Sequence, residues 1–219
     1  MTAATGTDQV WYTKWMSDLE TQVAFNYHCA GGLGRKVEYS DAVRACQPVD
    51  PTHIPELLFF EDHDRIKASC RDAFKIVGAL LVCSKALRDV LVEHDLGSTQ
   101  LHEVPIYADE GRTPTDIAPH YLLHVTERKP GTFSPEHSEG VDRLRSPIDK
   151  SVIPNGYWLG KYDRDTLAVH ARSAAGVDLW RDPMIAKRLF LSNRLKRAIE
   201  AAGLKSRALK MHKAKMLPG

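Results

Sequence analysis

Two groups of residues in this sequence carry side chains suited to metal binding or proton transfer. The first is the acidic cluster EDHD at 61–64, in which carboxylates lie on both sides of His63. Such a cluster could bind a metal or move protons, although a solvated turn is the more common role for a run of this composition. The second is the pair His120 and His124, which would share one face of a helix and could ligate a metal there. Their segment, HYLLHV, has the pattern of a strand, which would separate the two imidazoles by ~13 Å, so ordinary half-buried histidines explain the pair.

The recurrent catalytic motifs are absent from this sequence. It contains no GxSxG, no HExxH, no CxxC pair and no P-loop lysine after its glycine-rich stretch. The sequence therefore predicts a protein without catalytic residues, metal or cofactor. An enzyme that uses His63, His120 and His124 remains the alternative.

Composition narrows the class of protein further. The 219 residues include 30 Lys and Arg against 28 Asp and Glu, so bulk charge does not indicate a nucleic-acid partner. No apolar run approaches the roughly 20 residues that span a bilayer, and the first residues lack the pattern of a signal peptide. The cysteines are widely spaced and are expected to be reduced: Cys29, Cys46, Cys70 and Cys83. We expect a cytoplasmic protein without a membrane partner.

The strongest structural pattern is the segment 74–107. Its apolar run ends just before Ser84, and Leu87 and Leu91 then follow at helical spacing. Gly97 closes this part, after which Leu101 to Tyr107 has an extended pattern. The segment predicts a strand, a short amphipathic helix capped by Ser84, and a second strand.

A similar pattern returns 108 residues later. This shift places Ser84 on Ser192 and Leu87 on Leu195 without a gap, and Leu91 on Ile199. Two copies of a common supersecondary unit account for so few matches, and a gene duplication does not follow from them. Either way, both segments are predicted to supply much of the apolar core.

The remaining chain predicts an α+β fold with a mixed, largely antiparallel sheet and a few short helices. Residues 120–125 should pair antiparallel with 101–107, while 40–55 has three prolines and reads as an irregular connection. Two further strands are expected at 157–162 and 167–171, paired with each other. We expect one domain over 1–219, or two lobes at 1–128 and 157–219 joined by a connection at 129–156.

The C-terminal segment from Lys205 is rich in lysine and arginine. A basic tail of this kind could contact phosphates, although a solvated edge is the more common role. A nucleic-acid-binding or regulatory protein that uses this tail is therefore a further alternative.

Three segments resemble a bacterial family of immunity proteins from polymorphic-toxin systems. They are LLVCSKALRDVLVEHDLGSTQLHEVPIY, then HYLLHV, and finally RLFLSNRLKRAIEAAGLKSRALKM. The family is named for a myxobacterial immunity protein and was formerly classed as a domain of unknown function. The resemblance covers roughly residues 57–215, and the matching motifs are structural.

The resemblance implies a cytoplasmic protein that binds a cognate toxin, often a nuclease, and blocks it in the producing cell. It transfers no catalytic residue. A nuclease presents a cationic cleft for phosphates, so acidic side chains that mimic phosphates would steer association. We therefore predict that Glu61, Asp62 and Asp64 contact the toxin, with the segment 129–154 as a second candidate surface.

Overall fold

The protein has an α+β fold, in which the three α-helices of the described residues accompany several mostly antiparallel sheets. The computed structural model describes residues 9–18, 22–60, 71–146, 148–160, 166–204 and 206–218. Its α-helices are α1 (Leu33–Ala45), α2 (Lys85–Val92) and α3 (Asn193–Ala201). The strands are β1 (Val10–Thr13), β2 (Phe25–His28), β3 (Leu57–Phe60), β4 (Ala73–Lys75), β5 (Leu81–Cys83), β6 (Gln100–Val104), β7 (Ile106–Tyr107), β8 (His120–His124), β9 (Phe133–Ser134), β10 (Val141–Arg145), β11 (Val152–Leu159), β12 (Ala168–His170), β13 (Leu179–Trp180), β14 (Leu189–Ser192), β15 (Met211–Lys213) and β16 (Lys215–Leu217).

Within the described residues, the strands form two four-stranded sheets, two three-stranded sheets and one hairpin. The four-stranded sheets have the orders β4-β5-β8-β6 and β13-β14-β1-β15. The three-stranded sheets have the orders β2-β3-β7 and β9-β12-β16, and β10 pairs with β11 alone. Neighbouring strands are antiparallel except for the parallel pairs β3–β7 and β12–β16.

The second half of the chain repeats the topology of the first half. Each half begins with a strand of a four-stranded sheet (β1 or β8), followed by a strand of a three-stranded sheet (β2 or β9). An insertion comes next in the chain. Then come five more strands with one α-helix between the third and the fourth of them, in the orders β3-β4-β5-α2-β6-β7 and β12-β13-β14-α3-β15-β16. Equivalent strands pair in the same order and in the same direction in both halves. The repeat therefore extends well beyond the strand–helix–strand unit that is visible in the sequence.

The two halves exchange their first strands. β1 belongs to the first half but lies between β14 and β15, and β8 belongs to the second half but lies between β5 and β6. The register agrees as well, because Tyr12 pairs with Phe190 and His212 just as Leu122 pairs with Val82 and His102. Each four-stranded sheet is thus completed by the other half of the chain.

Three clusters of buried apolar side chains follow from this arrangement. The first half and the second half each enclose one cluster, which contains Phe74 and Trp180 respectively at equivalent positions. A third, central cluster lies between the two four-stranded sheets, where Leu87 and Leu91 of α2 pack with Leu195 of α3. The helices therefore bury their apolar faces against each other and join the two halves.

Both predicted helix caps are present. The Ser84 hydroxyl accepts a hydrogen bond from the Leu87 N–H at 3.2 Å, and the Ser192 hydroxyl accepts one from the Leu195 N–H at 3.1 Å. The predicted antiparallel pairing of 101–107 with 120–125 is confirmed for 101–104, which lie in β6 and pair with β8, but it is wrong for 106–107, which form β7 and pair with β3. After the helices the two halves are no longer related by a constant shift of 108 residues. The position of Leu101 in β6 corresponds to that of Met211 in β15, as their strand partners show.

Removal of the first cap should cost measurable stability. We expect Ser84→Ala to lower the free energy of unfolding by about 1 kcal/mol, because the Leu87 N–H loses its acceptor at the start of α2. Urea denaturation followed by circular dichroism measures this loss. An unchanged midpoint would contradict the capping role, and Ser84→Asp, which can still accept, should retain most of the stability.

Two further local predictions were wrong. Residues 40–45 are not an irregular connection but the second half of α1. The strand β11 begins at Val152 and pairs with β10, while β12 pairs with β9 and β16, so the two predicted strands are not partners. None of the helices in the described ranges is long and apolar enough to cross a membrane.

Candidate interaction surface

Exposed apolar side chains are concentrated in the two insertions of the repeated frame. The insertion of the first half contains α1, where Leu33 and Val37 lie one turn apart and are both exposed. The insertion of the second half contains the hairpin of β10 and β11. Its exposed apolar side chains are Ile148, Val152, Ile153 and Trp158. Clusters of this kind are typical of surfaces that bind other molecules.

The base of the β10–β11 hairpin is fixed to the frame. Leu159 is buried in the apolar cluster of the second half, and Tyr157 packs edge-on against Phe133 with 5.6 Å between the ring centroids. The backbone N–H of Tyr157 donates to the Met184 carbonyl at 2.8 Å, and the Tyr157 carbonyl accepts from the Ala186 N–H at 2.8 Å. The hairpin is therefore held in one direction by both packing and hydrogen bonds.

The tip of the hairpin is ordered by its own polar groups. Ser146 N–H donates to the Ser151 carbonyl at 2.8 Å, and Lys150 N–H donates to the Ser146 carbonyl at 3.1 Å. Hydrogen bonds from Ser146 and Ser151 lower the pKa of Asp149 to about 2. These bonds set the position of Ile148, whose side chain is 93% exposed at the end of the hairpin.

The hairpin mixes apolar side chains with charges of both signs. Arg143 lies over the Tyr157 ring at 4.4 Å from its centroid, and Asp142 is directly opposite Trp158 across the strand pair. Trp158 itself is 40% exposed. A central aromatic residue surrounded by charged groups is the usual composition of a protein–protein interface. The hairpin can therefore bury apolar area against a partner while its charges fix the orientation.

The predicted contact residues fall in different parts of the chain. Glu61, Asp62 and Asp64 lie outside the described residues, as does His63. The second predicted surface, 129–154, contains β9, β10 and the beginning of β11. Sequence reasoning selected that segment for its length and its prolines, but it missed Trp158, which follows the segment. It also missed Leu33 and Val37, whose spacing of four residues on one helix was the available signal.

The two histidines considered as metal ligands lie on β8, as the strand pattern predicted. His120 Nδ1 is 2.9 Å from the Ala118 carbonyl oxygen, and the His124 ring packs edge-on against Tyr39. Within the ranges that the structure describes, no group of three His, Cys, Asp or Glu side chains is placed to hold a metal ion.

His124 is buried among neutral and cationic groups. Its side chain is 1% exposed, and neither ring nitrogen has a hydrogen-bond partner of standard geometry among the described residues. Burial, and to a smaller extent the nearby His102 and Arg181, lowers the pKa of His124 to about 4, while the Ala42 carbonyl opposes this shift. The folded protein therefore keeps His124 neutral at pH values where the unfolded chain protonates it.

This difference predicts acid sensitivity of the fold. The pKa of His124 is lower in the folded state than the ordinary ~6.5, so stability should fall as the pH drops below 6.5 and continue to fall to about pH 4. We expect His124 to contribute a loss of about 2 kcal/mol by pH 5. Urea unfolding at several pH values measures this slope. His124→Gln should show a shallower slope, and parallel profiles for the two proteins would contradict the assignment.

The basic C-terminal segment is part of the fold. β15 pairs with β1, and β16 pairs with β12, so residues 211–217 complete two sheets. Lys210, Lys213 and Lys215 are exposed along this segment. Deleting the segment would remove two strands, so charge substitutions are the suitable test of its cations.

Comparison of the chain with protein-family models and with curated protein sequences gives no match.

Proposed function

We propose that this chain is an immunity protein that binds a cognate bacterial toxin and blocks it in the cytoplasm of the producing cell. The toxin class that we propose is a nuclease effector. The β10–β11 hairpin is the observation that carries the proposal. It is an insertion in one half of a repeated frame, its base is anchored, and it exposes Ile148 at its end and Trp158 near its base. The segments that resemble known immunity proteins form the frame that carries it.

The division between frame and insertion suits an inhibitor. The frame buries its apolar side chains in three clusters and exchanges strands between its halves, which makes it a rigid support. A rigid support keeps the hairpin in its bound conformation, so little ordering entropy is lost when the partner binds. Binding energy then comes from burial of the apolar tip.

The hairpin would block its partner by covering it. We place Trp158 and Ile153 at the centre of the contact, where a large aromatic and a branched side chain contribute most to affinity. Arg143, Arg145 and Asp142 would surround them and fix the orientation of the complex. Glu61, Asp62 and Asp64 remain the proposed residues that steer association toward the cationic cleft of a nuclease.

Co-expression with the products of the neighbouring genes, among which the cognate toxin is sought, tests the proposal. We expect growth of cells that express the toxin to be rescued by the chain, and the two proteins to copurify. The variant Glu61→Ala, Asp62→Ala, Asp64→Ala should slow association and reduce its salt dependence, because fewer steering charges remain to be screened. Absence of rescue together with absence of copurification would reject the proposed function, whereas unchanged protection by the triple variant would remove only the acidic cluster.

A further inference from the structure

A groove of about 510 Å³ lies beside the helix α3. It runs between α3, the segment 204–210 and the strand β15. Trp11, Ile199 and Met211 form its apolar floor. Its rim is cationic, with Arg71, Lys196, Arg207 and Lys210.

Only part of this positive charge is neutralised. Lys196 Nζ lies 4.4 Å from the centroid of the Trp11 ring and 2.6 Å from Glu200 Oε2. Arg207 Nε is 2.9 Å from Asp18 Oδ2. Arg71 and Lys210 form no ion pair within the described part of the chain. The groove thus combines an apolar floor with two cations, Arg71 and Lys210, that no acidic side chain of the described residues neutralises.

The equivalent place in the first half of the chain has a different charge. There Arg88 lies over Tyr121, as Lys196 lies over Trp11, at 5.5 Å from the ring centroid. Tyr121 pairs with Glu103 across the strands, whereas Trp11 pairs with Lys213. At this strand position the two halves therefore carry opposite charges, Glu103 in the first half and Lys213 in the second.

The groove adjoins an open sheet edge. β15 is the last strand in its sheet and pairs only with β1 in the described structure. The Ala214 N–H donates to the Val10 carbonyl at 3.1 Å. In an antiparallel pair, residues alternate between those that hydrogen-bond to the partner strand and those that do not. The N–H and carbonyl groups of Met211 and Lys213 therefore point away from β1. An extended chain could pair with these groups.

We propose that this groove binds an extended peptide segment of a partner protein in which carboxylate side chains alternate with apolar ones. The segment adds as a fifth strand along β15. Its apolar side chains lie on Trp11 and Met211, and its carboxylates pair with Arg71 and Lys210. This site is separate from the hairpin, and it does not depend on the proposed function.

The same observations favour a peptide over a nucleic acid. One face of the Trp11 ring is covered by Lys196, and its indole N–H donates to Asn193 Oδ1 at 3.0 Å, so the ring is not a free platform for base stacking. Two uncompensated cations are also few for a phosphate backbone, which binding sites track with many charges.

Fluorescence anisotropy with labelled synthetic peptides tests the proposal. The probe is the hexapeptide Leu-Glu-Leu-Glu-Leu-Glu, compared with Leu-Lys-Leu-Lys-Leu-Lys and with a single-stranded dT12 oligonucleotide. We expect the Leu-Glu peptide to bind at least tenfold more tightly than the Leu-Lys peptide. Methylation of its alternate backbone nitrogens should weaken binding at least tenfold, because strand addition needs those N–H groups.

Charge reversal locates the binding site. The variant Arg71→Glu, Lys210→Glu should weaken binding of the Leu-Glu peptide at least tenfold, while the matched control Lys85→Glu, Arg88→Glu at the first half should not. Equal binding of both peptides, or no effect of the groove variant, would overturn the proposal. Tighter binding of dT12 that the groove variant abolishes would instead assign the groove to nucleic acid. Protection against the toxin should survive the groove variant, which separates this site from the proposed function.

Discussion

The triple variant Ile148→Ser, Ile153→Ser, Trp158→Ala should bind the toxin at least ~100-fold more weakly and should fail to protect cells. These three side chains are exposed in the free protein, so their removal takes little from the folded core. In the proposed complex they are buried against the partner. Loss of a central aromatic anchor with two branched neighbours is expected to remove ~2.7 kcal/mol or more of binding free energy.

Binding measurements on the purified pair check this expectation. Isothermal titration calorimetry gives the dissociation constant, and thermal unfolding of the variant alone should show a midpoint close to that of the unmodified protein. The matched control is Val92→Ser, which changes an exposed apolar side chain on α2. Wild-type affinity in the hairpin variant, or an equal loss in the Val92 variant, would show that the contact lies elsewhere.

Asp178→Ala should lower the free energy of unfolding by about 3 kcal/mol, the largest loss expected from a single polar side chain in the described structure. The Asp178 carboxylate is fully buried. It accepts hydrogen bonds from Arg194 Nε at 2.8 Å and Nη2 at 2.6 Å, from the Ser192 hydroxyl, and from the Asp95 N–H at 3.0 Å. Asp95 follows α2 and Ser192 precedes α3, so this carboxylate joins the two halves of the chain.

Two opposing effects set the size of this loss. Burial raises the pKa of Asp178, but the hydrogen bonds from Arg194 and Ser192 outweigh burial, and the resulting pKa is below the ordinary value. Removing the carboxylate removes a desolvation cost together with these bonds, so the net loss is smaller than the sum of the bonds. The lowered pKa also means that this contribution is present near neutral pH and decreases as the carboxylate is protonated in acid.

Asp72 provides the matched comparison. It has the equivalent position in the first half, where it accepts from the Ser84 hydroxyl at 3.1 Å, and its carbonyl accepts from the Ser84 N–H. Because its side chain is only partly buried, Asp72→Ala should cost only about 1 kcal/mol. Urea denaturation of both variants measures the difference. Similar losses at the two sites would mean that the contact of Asp178 between the halves adds nothing to the free energy of unfolding.

The local elements of this fold follow from local sequence. Ser84 and Ser192 each precede a helix whose apolar residues recur at helical spacing, so the cap and the buried face are both encoded within a dozen residues. The strand β8 was also predictable, because HYLLHV combines aromatic and branched residues. Such patterns also give the class of the fold, α+β.

Elements that expose apolar residues escaped sequence reasoning. α1 has no continuous apolar face, and Leu33 and Val37 point to solvent, so the usual helical periodicity is missing. The hairpin of β10 and β11 was similarly read as a connection, because its outer half is exposed on both strands. The candidate surface lies in these segments because a binding surface is not selected for burial within its own chain.

The sequence by itself determined two similar strand–helix units, their serine caps and an α+β class, since each depends on residues close together in the chain. The tertiary structure alone decided that β1 enters the sheet of the second half and that β8 enters the sheet of the first. Both strands are short and present an apolar face to either sheet, so local pattern does not distinguish the two pairings. Contacts between residues more than 170 positions apart, such as Tyr12 with Phe190, decide which pairing forms. One pairing is more stable than the other only because of the core that it builds with the rest of the chain.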